Sequence, residues 1–255
     1  MDSREHLIAL AIKHQGNWYQ ILKAMQQHEW ADEIDIQSFL ANAKYKVLTI
    51  LDKEYPEYLK QRFQPPFVLF YYGDISLLSN CNKNIAIVGS RDATSHGIEN
   101  TRYIAEGVAK KYNIVSGLAY GLDRVAHLAA INMDGKTIGV LGNGIDYCYP
   151  TSNSDIYEEL KSNHLVISEY YGHIEPDASH FYQRNRLIVS LSCATIVGEA
   201  SHRSGSLMTA NLTLAYYNRL MCIPSSDIKN SACDLFIKEG CDMVLSPEDV
   251  FDLME

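Results

Sequence analysis

Short runs of β-branched and aliphatic residues alternate with longer helical patterns from Asn84 to the end of the chain. Strands that are apolar throughout, rather than alternately polar, are typical of a parallel sheet that is covered on both faces. This repeated alternation predicts a doubly wound α/β fold. The predicted strands are Ile85–Val88, Ile114–Ser116, Thr137–Leu141, Leu165–Ser168, Ala194–Val197, Leu220–Ile223 and Met243–Leu245.

The first 80 residues have a different pattern. Helices are predicted at His6–Lys13 and Asn17–Gln27, and the apolar runs Val47–Leu51 and Phe67–Tyr72 then lead to Gly73. Polar residues interrupt the hydrophobic pattern at Asn80–Asn84. We therefore predict a small N-terminal helical module with a lead-in segment over residues 1–80, and the α/β domain over residues 81–255. In that domain the predicted helices are Gly97–Tyr112, Asp123–Met133, Ser154–Asn163, Tyr182–Leu191, Ser206–Asn218, Ala232–Glu239 and Pro247–Leu253.

Charge and cysteine content restrict the function classes. The formal net charge of −9 argues against a protein that coats DNA indiscriminately, because phosphate neutralisation needs clustered Lys and Arg. It still permits a local basic groove. The six cysteines never form a CxxC pair or a His/Cys cluster with zinc-ligand spacing, so we predict reduced cysteines, no metal and no cofactor. No apolar run is long enough to cross a bilayer, and we predict a cytoplasmic protein that does not bind membranes.

Small and polar residues follow several of the predicted strands, where open parallel sheets bind their ligands. Gly89, Ser90 and Arg91 follow the first of these strands and place a flexible backbone and one guanidinium where a helix is about to begin. This arrangement suits a phosphate, although a tight turn with a surface arginine explains it equally well. The GxGxxG dinucleotide fingerprint is absent after this strand.

Two further segments could complete such a site. Ser204, Gly205 and Ser206 stand at the start of a predicted helix, where one serine caps the helix and the pair could also cradle an anion. The segment Phe181–Arg186 combines aromatic residues with two arginines. On a helix those arginines point in different directions, so at most one is expected to face a given phosphate. Phe181 could stack on an unpaired base or belong to the core.

Carboxylates near the strand ends leave an enzymatic alternative open. Asp123, Asp146, Glu169 and Glu199 could act as bases, but such groups more often accept hydrogen bonds from backbone amides or pair with arginines. The alternative hypothesis is a nucleotide-processing enzyme of the nucleoside monophosphate hydrolase type, and the feature consistent with it is Gly198-Glu199. In those enzymes the catalytic glutamate works beside a glycine-rich loop, and this chain lacks that loop. A nucleotide sensor is the third hypothesis.

Taken together, these segments resemble the DprA/Smf family from about Val47 to Leu245. Each segment is weak alone, but their order and spacing are specific. The matching segments are YPEYL (Tyr55–Leu59), PPFVLFYYG (Pro65–Gly73), IAIVGSR (Ile85–Arg91), VSGLAYGLDRVAH (Val115–His127), TIGVLGNGIDYCYP (Thr137–Pro150), ISE (Ile167–Glu169), FYQRNRLIVSLS (Phe181–Ser192) and VGEASHRSGSLMTA (Val197–Ala210).

The resemblance implies an extended Rossmann-like fold and a homodimer that binds single-stranded DNA and loads the RecA recombinase onto it during natural transformation or homologous recombination. It implies a binding protein rather than an enzyme. The residues that it assigns to DNA binding are Gly89, Ser90 and Arg91 at the phosphate, Phe181, Arg184, Asn185 and Arg186 along the pocket, and Ser204, Gly205 and Ser206 as its backbone-amide wall. Thr151 stands where related chains often carry a basic residue, and Ile223-Pro224-Ser225 replaces a proline-glycine turn.

Overall fold

A computed structural model describes residues 1–31, 34–201, 204–225 and 231–255. The strands in these ranges form one sheet. They are β1 (Lys46–Thr49), β2 (Val68–Gly73), β3 (Asn84–Val88), β4 (Asn113–Ser116), β5 (Thr137–Leu141), β6 (Leu165–Ser168), β7 (Ala194–Val197), β8 (Arg219–Cys222) and β9 (Asp242–Met243). Their order across the sheet is β1-β2-β6-β5-β4-β3-β7-β8-β9. Only β2 is antiparallel to its neighbours, and the remaining pairs are parallel.

The helices of the described ranges alternate with these strands. They are α1 (Ser3–Lys13), α2 (Trp18–Gln26), α3 (Ile36–Asn42), α4 (Glu57–Lys60), α5 (Ser95–Val108), α6 (Leu122–Asn132), α7 (Ser154–Asn163), α8 (Ala178–Ser190), α9 (Gly205–Ala215), α10 (Ala232–Lys238) and α11 (Pro247–Met254). None of them is long and apolar enough to span a bilayer. The predicted extended, Rossmann-like α/β fold with a mostly parallel sheet and a small N-terminal helical module is confirmed.

Both faces of the sheet are covered, as the wholly apolar strands predict. Successive residues of β3 point to opposite faces, so Ile85 and Ile87 pack with α5, α6 and α11. Ala86 and Val88 pack with α8, α9 and α10 on the other face. A third cluster joins α1, α2 and α7 to the edge of the sheet near β2. The six cysteines are free thiols, as predicted, and Cys222 and Cys233 are buried.

One boundary difference in the α/β part bears on the site: α8 begins at Ala178 rather than at the predicted Tyr182. Asp177 caps it, because its side chain accepts a hydrogen bond from the Ser179 amide at 2.8 Å. The earlier start places Phe181 inside the helix. As a result Phe181 shares a face with Arg184 and Asn185, which lie three and four residues further on.

The N-terminal 80 residues contribute to the main sheet as well as forming helices. The apolar runs near Val47 and Phe67 become β1 and β2, and β2 pairs with β6 from Phe70 opposite Ser168 to Gly73 opposite Leu165. The sheet is therefore continuous across the boundary that we propose near residue 80. Helices α3 and α4 were not predicted, since both are short and lack a clear apolar period.

Candidate functional site

The strand order creates a crevice at one place in the sheet. From β3 the chain continues through β4, β5 and β6 toward one edge, whereas β7, β8 and β9 extend toward the other edge. The loops that leave β3 and β7 therefore separate at their carboxyl ends, which is where doubly wound folds bind ligands. A cavity of about 460 Å³ lies at this point, and we call it the switch-point cavity.

Nine of the ten predicted site residues line the switch-point cavity. They are Gly89, Ser90 and Arg91 after β3, Phe181, Arg184 and Asn185 on α8, and Ser204, Gly205 and Ser206 at the start of α9. These residues come from three separate segments of the sequence, the first and last of which are more than a hundred positions apart. The fold thus brings together the loop, the helix face and the helix terminus that were singled out separately.

The loop after β3 is held by the start of α6. The Ser90 carbonyl accepts a hydrogen bond from the Leu122 amide at 3.1 Å, and the Ser90 amide donates to the Glu199 carbonyl at 2.7 Å. Gly121 makes this contact possible, because a Cβ there would lie 2.2 Å from the Ser90 carbonyl oxygen and its φ is +72°. The backbone that carries Arg91 is therefore fixed before any ligand arrives.

Arg91 is exposed and makes no hydrogen bond or ion pair with any residue in the described ranges. Its guanidinium carbon lies 5.3 Å from the centre of the Phe181 ring, a cation–π distance. The same ring is 5.7 Å from the guanidinium carbon of Arg184. Arg91 therefore leaves its guanidinium donors available to a ligand oxygen while the aromatic ring holds it in position.

Arg184 is buried at the base of the cavity. Its Nη1 donates to the carbonyls of Gly117 at 2.5 Å and Val140 at 2.7 Å, and its Nε donates to the side-chain oxygen of Asn185 at 3.1 Å. Burial lowers the pKa of Arg184 to about 10, so it remains a cation at neutral pH. Gly117 provides the space, because a Cβ there would lie 2.1 Å from Arg184 Nη1.

A buried carboxylate faces this arginine. Asp123 accepts hydrogen bonds from the Gly117 and Ala119 amides at 3.1 and 3.3 Å. Burial raises the pKa of Asp123, while the charge of Arg184 and the backbone donors oppose that rise. Because Asp123 offsets much of the Arg184 charge, Arg91 supplies most of the uncompensated positive charge at the cavity.

The start of α9 forms the opposite wall. The Ser204 side chain caps the helix by accepting a hydrogen bond from the Leu207 amide at 3.3 Å, as the capping interpretation predicts. The amides of Gly205 and Ser206 have no acceptor in the described part of the chain. Free first-turn amides and the helix dipole favour an anion at this position. The space around Gly205 is open, because a Cβ atom placed there would have no neighbouring atom within 4 Å.

Arg186 is the one predicted site residue that does not line the switch-point cavity. Its guanidinium is buried on another side of α8, where Nη2 donates to both carboxylate oxygens of Glu169 at 2.5 and 2.7 Å and Nη1 donates to the Gln64 carbonyl at 2.7 Å. The two arginines thus point to different sides of α8, and only Arg184 lines the switch-point cavity. Burial raises the pKa of Glu169, and the charge of Arg186 offsets part of that rise.

The other candidate carboxylates have structural partners. Glu199 accepts hydrogen bonds from the Thr94 amide and from the Thr94 hydroxyl, the latter at 2.7 Å, at the start of α5. Asp146 accepts from the Tyr72 hydroxyl at 2.6 Å. Neither residue lines the switch-point cavity. Within the described residues, no cluster of His, Cys, Asp and Glu has the arrangement of a metal site.

Several cavity residues were missed from sequence. Ile188 follows Phe181 by seven positions and completes the face of α8, and Tyr182, Met208 and Thr209 also line the cavity. The spacing of Phe181, Arg184, Asn185 and Ile188 is the regular i, i+3, i+4, i+7 pattern of one helix face. Applied to this segment, that pattern would have included Ile188 and excluded Arg186.

Comparison with known proteins identifies the family. The family model described as DNA recombination-mediator protein A matches residues 46–255. DNA processing protein DprA of Streptococcus pneumoniae is 38% identical over 209 residues, which cover 81% of this chain and 73% of that protein. Its X-ray structure superposes with a TM-score of 0.83 at 32% identity, covering 98% of this chain and 93% of the other.

A second structure, of DNA processing protein A from Helicobacter pylori, concerns a single-stranded DNA binding mode of that protein. It superposes with a TM-score of 0.74 at 28% identity and covers 84% of this chain and 97% of the other. The family match thus spans the sheet and every residue that lines the switch-point cavity. The chain belongs to the DNA recombination-mediator protein A family, that of the DprA and Smf proteins.

Proposed function

We propose that this chain binds single-stranded DNA in the switch-point cavity. The observation that carries the proposal is the contact of the exposed Arg91 with the Phe181 ring, opposite first-turn amides of α9; neither the Arg91 guanidinium nor these amides have a hydrogen-bond partner among the residues that the structure describes. A guanidinium and helix-terminal amides are donors for a phosphate, and an accessible ring is a surface on which an unpaired base stacks. The Helicobacter pylori relative, which binds single-stranded DNA, supports the same ligand class.

Duplex DNA fits this site less well. In a duplex the bases are stacked within the helix, so Phe181 could reach one only after unpairing and unstacking, which costs a few kcal/mol. A free mononucleotide offers a phosphate and a base but cannot extend beyond the cavity. We therefore expect single strands to bind more tightly than either duplex DNA or free nucleotides.

The test is a gel-shift comparison of single-stranded and duplex oligonucleotides, with free nucleotides as competitors. We expect Arg91→Ala to weaken single-strand binding about tenfold or more for all sequences, because a phosphate contact carries no sequence information. The slope of log affinity against log salt should fall by about 0.7, the value of one phosphate contact on a single strand. Arg102→Ala, which removes an exposed arginine of α5 outside the cavity, is the matched control. Unchanged affinity and salt slope for Arg91→Ala would remove this residue from the site.

We further propose that the chain acts in the cytoplasm as a homodimer that protects incoming DNA and loads RecA during natural transformation or homologous recombination. The charge of the site supports a dimer, since Asp123 offsets Arg184 and one cavity on a chain of net charge −9 offers few cations. Two cavities on one strand raise the effective local concentration, and avidity can exceed single-site affinity by roughly 10²–10⁴. Leu214, which is exposed on α9 and lies outside the switch-point cavity, is a candidate dimer contact late in the chain.

Light scattering and an oligonucleotide length series test the dimer. We expect a mass near twice 28.8 kDa, and affinity that rises steeply once the strand is long enough to reach both cavities. A monomer at micromolar concentration whose affinity does not depend on strand length would refute the dimer and leave the single-cavity assignment intact.

A further inference from the structure

A second groove lies beside the switch-point cavity, and we call it the aromatic groove. It is formed between the segment that follows α4 and the outer sides of α8 and α9, and its volume is about 460 Å³. Its walls include Tyr19, Phe63, Tyr182 and Tyr216, together with Arg62. Nothing in the function proposed above uses Tyr19, Arg62 or Phe63.

The aromatic side chains of this groove are unusually accessible. Phe63 is 68% exposed, Tyr19 is 56% exposed and Tyr182 is 51% exposed. A cluster of exposed aromatic rings in one groove marks a binding surface more often than isolated exposed residues do. Since each ring offers an apolar face to solvent, the groove suits a ligand with flat, stackable groups.

The rings are also held in place by neighbouring groups. The Tyr216 hydroxyl donates to the Phe63 carbonyl at 3.4 Å, and the two rings meet edge to face with centroids 6.4 Å apart. On the other side, the Tyr19 hydroxyl accepts a hydrogen bond from the Gln64 side chain at 2.5 Å. Fixed rings lose little conformational entropy when a base stacks on them.

The charge of the groove favours an anionic ligand. Among the described residues its lining includes two arginines and no carboxylate side chain, although the chain as a whole has a net charge of −9. Glu169 neutralises Arg186, whereas within the described ranges the guanidinium of Arg62 has only one long hydrogen bond, to the Asn218 side chain at 3.4 Å. Arg62 is therefore available to a phosphate at the edge of the aromatic surface.

The groove adjoins the switch-point cavity at one shared residue of α8. Tyr182, on α8, lines both of them. Aromatic platforms beside positive charge are the usual means by which proteins hold successive bases of a single strand. We propose that the aromatic groove binds the continuation of the DNA strand that enters the switch-point cavity, with bases stacking on Phe63 and Tyr216 and a phosphate at Arg62. This inference rests on the proposed function, because it extends the same strand.

Substitutions at Phe63 test the groove without disturbing the core, since that side chain is largely exposed. Phe63→Leu keeps an apolar side chain but removes the ring, whereas Phe63→Tyr keeps the ring. For an oligothymidylate of about 20 nucleotides we expect Phe63→Leu to weaken binding about tenfold and Phe63→Tyr to bind like the native chain, because base stacking needs the ring. An oligothymidylate of about 5 nucleotides, which fills the first cavity alone, should bind all three proteins equally.

Tyr217→Ala is the matched control, because this 97% exposed aromatic residue lines neither DNA surface. A direct readout comes from an oligonucleotide of the longer length that carries 5-iodouracil, which should cross-link to the peptide that contains Phe63. Thermal unfolding of each variant checks that the fold is kept.

The outcomes separate this inference from the proposed function. If the native chain binds the longer strand, Arg91→Ala weakens that binding and Phe63→Leu does not, the groove is not on the DNA path and the proposed function stands. If the native chain binds no single-stranded DNA, both proposals are overturned.

Discussion

Helix α8 carries two buried arginines only two positions apart, and they differ in what surrounds them. Arg186 has a bidentate carboxylate partner in Glu169 and lies between α8 and the N-terminal segment. Arg184 donates to backbone carbonyls and forms part of a cavity wall. One arginine is therefore part of the internal structure, whereas the other combines a structural contact with a charge beside a ligand site. The two residues are of the same type, so their roles are distinguished only by the groups to which each guanidinium donates.

The largest effect on stability is expected from breaking the buried pair. Arg186→Leu leaves the Glu169 carboxylate buried without its partner, which should lower the free energy of unfolding by about 3–5 kcal/mol. Chemical denaturation measures this change. The double variant Arg186→Leu with Glu169→Leu should recover most of the loss, because apolar pairs often replace buried ion pairs at little cost. Equal destabilisation by the single and double variants would show that the pair itself is not the cause.

The same variant has a defined pH dependence. Burial raises the pKa of Glu169, and without Arg186 nothing offsets that rise. The folded variant then holds its proton more tightly than the unfolded chain, so the cost of burial is absent below the unfolded pKa of about 4.3 and grows as the pH rises through the folded value. The stability gap between native and Arg186→Leu should therefore narrow as the pH is lowered. A gap that widens on acidification would contradict this assignment.

The two regions also differ in how well their structure could be predicted. In the α/β part the strand pattern placed every strand within about two residues, because fully buried parallel strands produce uninterrupted apolar runs. In the first 80 residues, α3 and α4 are short, and β2 joins the sheet antiparallel to both neighbours. Local patterns do not specify such a distant pairing, so the extension of the sheet was not foreseen.

Within the site, the positions of candidate residues could be predicted from the sequence, whereas the residues that they contact could not. Gly89, Ser90, Arg91 and the α9 terminus were found because strand ends and helix starts have local signals. The exclusion of Arg186 depends on Glu169 and Gln64, which reach it only through the tertiary fold. The aromatic groove likewise joins Phe63 to Tyr216, a contact that no local pattern predicts.

An intermediate effect is expected at Arg184, where structure and binding are combined. Arg184→Lys keeps the positive charge but cannot reproduce the fork that reaches Gly117, Val140 and Asn185. We expect a loss of about 1–3 kcal/mol in stability, because buried carbonyls lose a charged donor, and a several-fold loss in single-strand affinity. Arg91→Lys is the comparison, since that exposed side chain should leave stability unchanged and alter affinity alone. Native stability and native affinity for Arg184→Lys would place this arginine outside the function of the cavity.

The smallest effect is expected at Glu199, a half-buried carboxylate in contrast to the deeply buried Glu169. Its hydrogen bonds to Thr94 fix the start of α5, and the single oxygen of a glutamine, placed where Oε2 lies, can still accept from the Thr94 amide and hydroxyl. Glu199→Gln should therefore lower the free energy of unfolding by only about 0.3–1 kcal/mol, the value of a charge near a helix N-terminus.

A general base for nucleotide hydrolysis would need a free carboxylate at the ligand, and Glu199 is bonded to Thr94 and absent from the cavity lining. Incubation of the native chain with nucleoside monophosphates should release no free base above background. If the native chain hydrolyses nucleotides and Glu199→Gln abolishes that activity, the enzyme hypothesis replaces the binding-protein hypothesis. If neither protein hydrolyses nucleotides, the role of Glu199 is to hold Thr94, the N-cap of α5.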